Sequence, residues 1–298
     1  MRQHLTDAYS FKTGLVRDAK KGYILGVKDK NAEDLPHTVL FVWDNGKWGS
    51  KLISWTCRSM ALRNSQDPTL YVLGETGRIL VGTASGFSEE VIENATHSGQ
   101  YQDLRDIRCI GKGIYACGMM GSVFRRGAKA TWEPLSLGLP QDGDDSADLE
   151  SIDGFDEKEV YAVGWDGGMW YYNGKSWHRI DSLTNLLINK VLCADDGVVY
   201  ACGQSGLLMK GRGDKWEIII AEETDGDFWS LCRFQGKIYA STSRFVYVLD
   251  SSAKLELVKF DDDIPKTCYH LSVAQDVMWS IGPKDVMSFD GDTWTRIE

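Results

Sequence analysis

The sequence predicts an all-β fold, a seven-bladed β-propeller of four-stranded antiparallel blades. Three observations predict it. A phrase recurs: an apolar strand carrying Tyr-Ala-x-Gly, a Gly-containing turn, a second strand, then a turn ending in Trp. Its clearest copies run from Val160 to Trp177, from Val199 to Trp216 and from Ile114 to Trp132. Seven aromatic positions, Tyr23, Tyr71, Tyr115, Tyr161, Tyr200, Tyr239 and Trp279, then follow one another 39–48 residues apart. A period near forty residues without helical patterning is that of propeller blades. Turn glycines punctuate the chain at the matching offsets, among its 31 Gly and only 6 Pro.

Each unit divides into four strands. The innermost, A, precedes the aromatic anchor, as in Leu104 to Ile110, Asn189 to Ala194 and Phe228 to Phe234. Strand B holds the anchor and strand C follows the Gly turn. Asn173-Gly174 and Asp290-Gly291 before strand D suit two-residue hairpins, whose central residues need positive φ. Trp48, Trp132, Trp177, Trp216 and Trp294 follow these C–D turns, a recurrence that predicts packing between blades. Units one, six and seven are degenerate; the first carries a polar insertion from Lys28 to Pro36. Approximate blades are 1–54, 55–97, 98–140, 141–183, 184–222, 223–262 and 263–298, in a single domain of residues 1–298. The end repeats predict whole blades with little strand exchange, and closure by apolar packing of the first blade on the last.

The chain has 298 residues, 43% hydrophobic and 26% charged, a foldable composition with enough length for a large core. No apolar segment follows Met1, so no secretory signal is predicted, and no run of eighteen apolar residues predicts a membrane span. The seven cysteines include no CxxC pair. Cys109, Cys193 and Cys232 precede their anchors by six or seven residues, and Cys117 and Cys202 follow theirs by two. These are repeat-equivalent strand positions where Cys serves as a small buried hydrophobe. A reduced, cytoplasmic protein, monomeric by itself, is expected.

The formal net charge is −10. Acidic residues concentrate in Asp142 to Glu150, Glu222 to Asp227 and Asp261 to Asp263. In the blade reading all three lie between strand D of one blade and strand A of the next. The B–C turns share that face and add Glu75, Met119, Met120, Trp165, Asp166 and Asp285. An acidic face with apolar residues predicts a basic protein partner and repels nucleic-acid phosphates. The first segment also has calcium-loop spacing through Asp142, Asp144, Ser146, Asp148 and Asp153. Ala147 at the sixth position, Asp at the twelfth and the lack of flanking helices argue against it.

Catalytic signals are weaker. His97 and His270 fall near the predicted channel mouth, where they suit acid–base chemistry, but surface or packed roles explain them more simply. Gly164-x-x-Gly167 leads into a strand, not a helix, so it cradles no phosphate. No Gly-x-Ser-x-Gly elbow occurs, and no spacing marks a glycosidase carboxylate pair. No catalytic residue, metal or cofactor is assigned.

The repeat from Tyr161 to Trp177 resembles bacterial propellers related to Asp-box and photosystem-assembly-factor repeats. Ser288 to Trp294 looks like an Asp box shortened by one residue; that motif is structural in its families and stabilises the C–D turn. Compact acidic propellers of this kind also look like some proteins that neutralise bacterial toxins. The reading is a non-catalytic protein-binding propeller, in its most concrete version an immunity protein or inhibitor against a toxin. The partner-binding residues are Asp142, Asp144, Asp145, Asp148, Glu223, Asp225, Asp227, Asp261 and Asp262 for steering, with Asp166, and Trp165, Met119 and Phe228 as apolar anchors. The alternatives are a lyase or glycosidase with its site at the channel mouth, and an assembly scaffold.

Overall fold

A computed structural model describes residues 4–30, 37–93, 96–97, 100–101, 103–140, 147–219, 224–250, 254–260 and 262–298. Seven antiparallel sheets, each of four consecutive strands in the order A–B–C–D, make the protein an all-β seven-bladed propeller. The aromatic anchors all lie on second strands, such as Tyr115 on Gly113–Gly118 and Tyr161 on Glu159–Gly164. The described residues divide into two compact units, Arg58–Ile219 and the pair of segments Met1–Cys57 and Ile220–Glu298.

The first unit holds blades 2 to 5, with sheets spanning residues 57–91, 104–134, 149–179 and 188–218. Its apolar clusters join consecutive blades. Tyr71, Leu73 and Ile79 of blade 2 pack with Leu104, Ile107 and Trp132 of blade 3. Tyr115 and Cys117 of blade 3 pack with Ile152, Tyr172 and Trp177 of blade 4. The strand-D tryptophans reach backward: Trp132 Nε1 donates to Glu90 (3.2 Å) and Trp177 Nε1 to the Leu135 carbonyl (2.7 Å).

The recurring Gly at the end of strand B has a steric cause. A Cβ on Gly118, Gly164 or Gly203 would overlap the carbonyl oxygen of Asp103, Asp148 or Leu187, where the chain runs into strand A of the same blade. In blade 6 Ser241 takes this place, and its hydroxyl donates to the Tyr269 carbonyl at 2.7 Å.

The second unit holds blades 1, 6 and 7, with sheets spanning 9–53, 230–257 and 270–296. Phe11, Ile24 and Phe41 of blade 1 pack with Trp279, Ile281 and Val286 of blade 7. Polar bonds join the same two blades, which apolar reasoning did not foresee. Lys284 Nζ donates to the carbonyls of Thr6 and Tyr9 (both 2.9 Å) and to Asp29 (2.6 Å). The Glu298 carboxylate accepts from Leu5 N and from Trp48 Nε1.

The C–D turns at Asn173-Gly174 and Asp290-Gly291 differ from the two-residue expectation. Asn173 Oδ1 accepts the N–H groups of Lys175 (2.9 Å) and Ser176 (3.1 Å), and Asp290 Oδ1 those of Asp292 (2.9 Å) and Thr293 (2.8 Å). These are longer turns closed by a side chain, and only the Gly of each pair takes positive φ. Two-residue C–D links occur in other blades: Asn45 (φ 48°) and Gly46 (φ 81°) join the paired Asp44 and Lys47 in blade 1, and Thr83 pairs with Gly86 and Arg212 with Lys215 in blades 2 and 5.

Candidate functional site

In the unit of blades 2 to 5, B–C turns meet the segments that lead into strand A. Met119 N donates to the Asp103 carbonyl (3.1 Å), Gly121 N to that of Ala147 (2.7 Å) and Trp165 N to that of Asp148 (2.9 Å). The Asp148 carboxylate accepts Met120 N at 2.8 Å. Backbone thus fixes a ledge carrying Met119, Asp148, Trp165 and Asp166, four of the residues expected to bind a partner.

Trp165 and Asp166 open a single 3₁₀ turn, Trp165–Gly167, in which Asp166 takes φ 52°. Trp165 is 47% exposed. Its indole N–H donates to Glu150 at 2.8 Å, so the ring is held in place while one face stays open to solvent. Glu150 belongs to a chain of charges that sequence reasoning did not assemble. Arg105 pairs with Asp103 (2.9 Å) and lies 3.8 Å from Glu150; Arg58 pairs with Glu75 (2.9 Å) and lies 3.7 Å from Asp103. Five carboxylates, those of Glu75, Asp103, Asp148, Glu150 and Asp166, therefore share the ledge with two arginines. The arginines come from strands A, whose polar residues carried no recognisable repeat.

The other expected residues are placed differently. Asp142, Asp144, Asp145, Glu223 and Asp261 lie outside the described residues. Asp225 and Asp262 are exposed and Asp227 is half-buried, all in the unit of blades 1, 6 and 7. Phe228 is fully buried, its ring 5.8 Å from that of Tyr247, and is core, not a surface anchor. Asp285, expected on a turn, is 4% exposed; it accepts from Thr267 N (2.9 Å) and Thr267 Oγ1 (2.7 Å) and pairs with Arg296 (2.7 Å). Asp153, the twelfth position of the calcium-like spacing, lies in strand A of blade 4, pairs with Arg108 (3.4 Å) and accepts Cys193 N (2.9 Å).

A second polar cluster joins the inner strands of blades 2 to 5. Asp106 accepts from Ser59 Oγ (2.7 Å), Ser151 Oγ (2.9 Å) and Lys190 Nζ (2.8 Å). Burial disfavours the Asp106 anion, yet the charges of Lys190 and Arg108, with the bonds from Lys190 and Ser59, outweigh it and hold its carboxyl below the ordinary value. The four residues occupy strand A of four successive blades, so the cluster stitches blades together. The cysteines nearby are unreactive packing groups: burial pushes the Cys117 and Cys202 thiols well up. Among the described residues, no group of His, Cys, Asp and Glu is arranged to hold a metal ion.

The chain is 37% identical to the immune protein Tsi7 of Pseudomonas aeruginosa over 307 aligned positions, covering 100% of both chains. It belongs to the Tsi7 family of immune proteins. No general family model matches it. Among solved structures, it resembles YCF48 bound to D1 peptide (TM-score 0.69, 14% identity, 96% of this chain and 93% of that one). It also resembles the WD40 propeller domain of Doa1 (TM-score 0.67, 11% identity, 99% of this chain and 94% of that one). At these identities the two likenesses carry fold alone.

Proposed function

We propose that this Tsi7-family protein is a cytoplasmic immunity protein that neutralises a toxin by binding it without chemistry. The observation that carries the reading is the end-to-end relation to an immune protein at 37% identity. The blade 2–5 ledge is the binding surface in this reading. Trp165 enters the partner as an apolar anchor, with Met119 beside it, and Asp148, Glu150 and Asp166 meet basic residues. The partner is a basic protein whose cationic substrate-binding surface is covered when the ledge docks. Excess carboxylate on the ledge speeds encounter, while the buried aromatic sets residence time.

The test is co-expression with candidate toxins, taken first from the genes that neighbour this one. The native protein restores growth and binds the toxin tightly. Trp165→Ala weakens binding by about 30-fold or more, as truncation of an aromatic hot spot does. Asp166→Asn keeps a residue suited to positive φ but removes a charge, so it slows association and flattens its salt dependence. A toxin still active with the native protein present would overturn the immunity reading. Full binding by both variants would move the interface off the ledge.

A further inference from the structure

The surface of blades 6 and 7 carries a feature that toxin capture by the ledge does not use. The B–C turn of blade 6 is closed by Thr242: its N–H donates to the Phe245 carbonyl (2.9 Å), and its hydroxyl accepts Phe245 N (3.0 Å). Two bonds fix that turn to the chain running into blade 7, from Cys268 N to the Ser243 carbonyl and from Tyr269 N to that of Thr242, both 3.0 Å. Val258 N, just past strand D (Leu255–Leu257), donates to the Val246 carbonyl at 2.9 Å. These segments border an open cleft of 560 Å³ whose walls backbone hydrogen bonds hold in place. The volume lies within the range of about 300–1,000 Å³ typical of small-molecule sites.

The lining is apolar with a cationic accompaniment. Val246, Val258, Phe260 and Pro265 contribute apolar wall. Phe260 is itself braced by the Trp294 ring at 4.6 Å. Phe245, Leu257 and Ile264 border the same cavity at 45%, 51% and 69% exposure, a grouping of large apolar side chains that water disfavours. Arg244, Lys259 and Lys266 complete the lining, and among the described residues no carboxylate belongs to it. Among the described residues none of the three cations pairs with an acid. Asp263, close in sequence, is taken by Arg296 at 2.6 Å. In a chain of net charge −10, three cations around one apolar cavity, none paired with an acid among the described residues, favour an anion.

We propose that this cavity binds a small apolar anion, an aromatic or alkyl body bearing one acidic group. The body fills the Val246, Val258, Phe260 and Pro265 walls, and the acidic group meets Arg244, Lys259 and Lys266. Apolar burial supplies most of the affinity and the cations supply orientation and selectivity for charge.

Fluorescence titration of the full chain with 8-anilinonaphthalene-1-sulfonate tests it. The expected result is saturable one-to-one binding, displaced by decanoate but at least tenfold less well by decanol, and not by decyltrimethylammonium. The triple variant R244Q/K259Q/K266Q should weaken binding about tenfold or more, the scale of one charge-assisted hydrogen bond. Phe245→Ser with Ile264→Ser should weaken it similarly. All five side chains are exposed, so circular dichroism should show native folding. Unsaturable binding, equal displacement by decanol, or unchanged binding by the triple variant would each overturn the proposal. Displacement by an acidic peptide but not by decanoate would also overturn it, in favour of a protein ligand. Toxin capture by these variants should be native, which separates this cavity from the immunity reading.

Discussion

Single residues carry both the repeat and its exceptions. Gly164 is required by proximity, since a Cβ would enter the space of the Asp148 carbonyl oxygen. Gly164→Ala should therefore destabilise by about 1–3 kcal/mol or more, the range of overpacking. It should also displace Asp148 and Trp165, so under the proposed ledge reading toxin binding falls more than stability alone explains; denaturant melts and affinity measured on the folded fraction separate the two. Asp106 carries the opposite kind of constraint, a buried charge satisfied from several blades. Its lowered pKa means that the folded state favours the anion. That contribution is complete above the unfolded value, about 3.9, and is lost as pH falls from there through the lower folded value. Asp106→Asn should cost about 3–5 kcal/mol at neutral pH, because Lys190 is left without its partner. It should also flatten the fall in stability below pH 4. The double variant with Lys190→Met should lose less than the two single losses combined, and an additive result would show that the pair is not coupled.

At the scale of the strand and turn, packing is the tie between consecutive blades. Trp177 leaves strand D of blade 4 and buries its indole against Leu139 and Tyr115 of blade 3, donating to the Leu135 carbonyl. Trp177→Ala should cost about 3–5 kcal/mol. Trp177→Phe should cost less, since it keeps apolar contact and loses mainly the hydrogen bond. Thermal or denaturant unfolding of both variants checks the order. This element was legible because strand B, its anchor and the D-strand Trp repeat with small variation. The turns were half legible: Asn173 and Asp290 mark turns correctly, but their side chains accept two backbone N–H groups each and lengthen the loop. Strand A was located without its chemistry. Ser59, Asp106, Ser151 and Lys190 share a structural position but not a residue type, so no repeat announces that they meet. The ledge was read in part for the same reason. Met119, Asp148, Trp165 and Asp166 stand out as turn residues, whereas Arg58 and Arg105 project from strands that look like any others. Phe228 misled because an aromatic beside an acidic run resembles an interface anchor, whereas its ring is buried against Tyr247 ahead of strand A.

At the scale of the whole molecule, each blade uses four consecutive strands, so blades 1 and 7 share no strand and join only through side chains and a few backbone bonds. Phe11 N reaches the Pro283 carbonyl (3.0 Å) and Val16 N reaches Ser272 Oγ (2.9 Å). Lys284 supplies three further bonds to blade 1 and its flanks. Opening at this junction breaks fewer backbone bonds than opening within a blade, and Lys284 makes three of the bonds across it, so its removal tests whether the junction opens locally. Lys284→Ala should accelerate amide exchange in Tyr9–Asp18 while leaving Leu149–Asp156 protected. Equal acceleration of both would mean that the junction does not open independently. If the ledge of blades 2 to 5 binds the toxin as proposed, the same variant should still capture it. Parallel loss of capture would mean that the ledge depends on the junction for its geometry, and that immunity is a property of the intact propeller rather than of one unit.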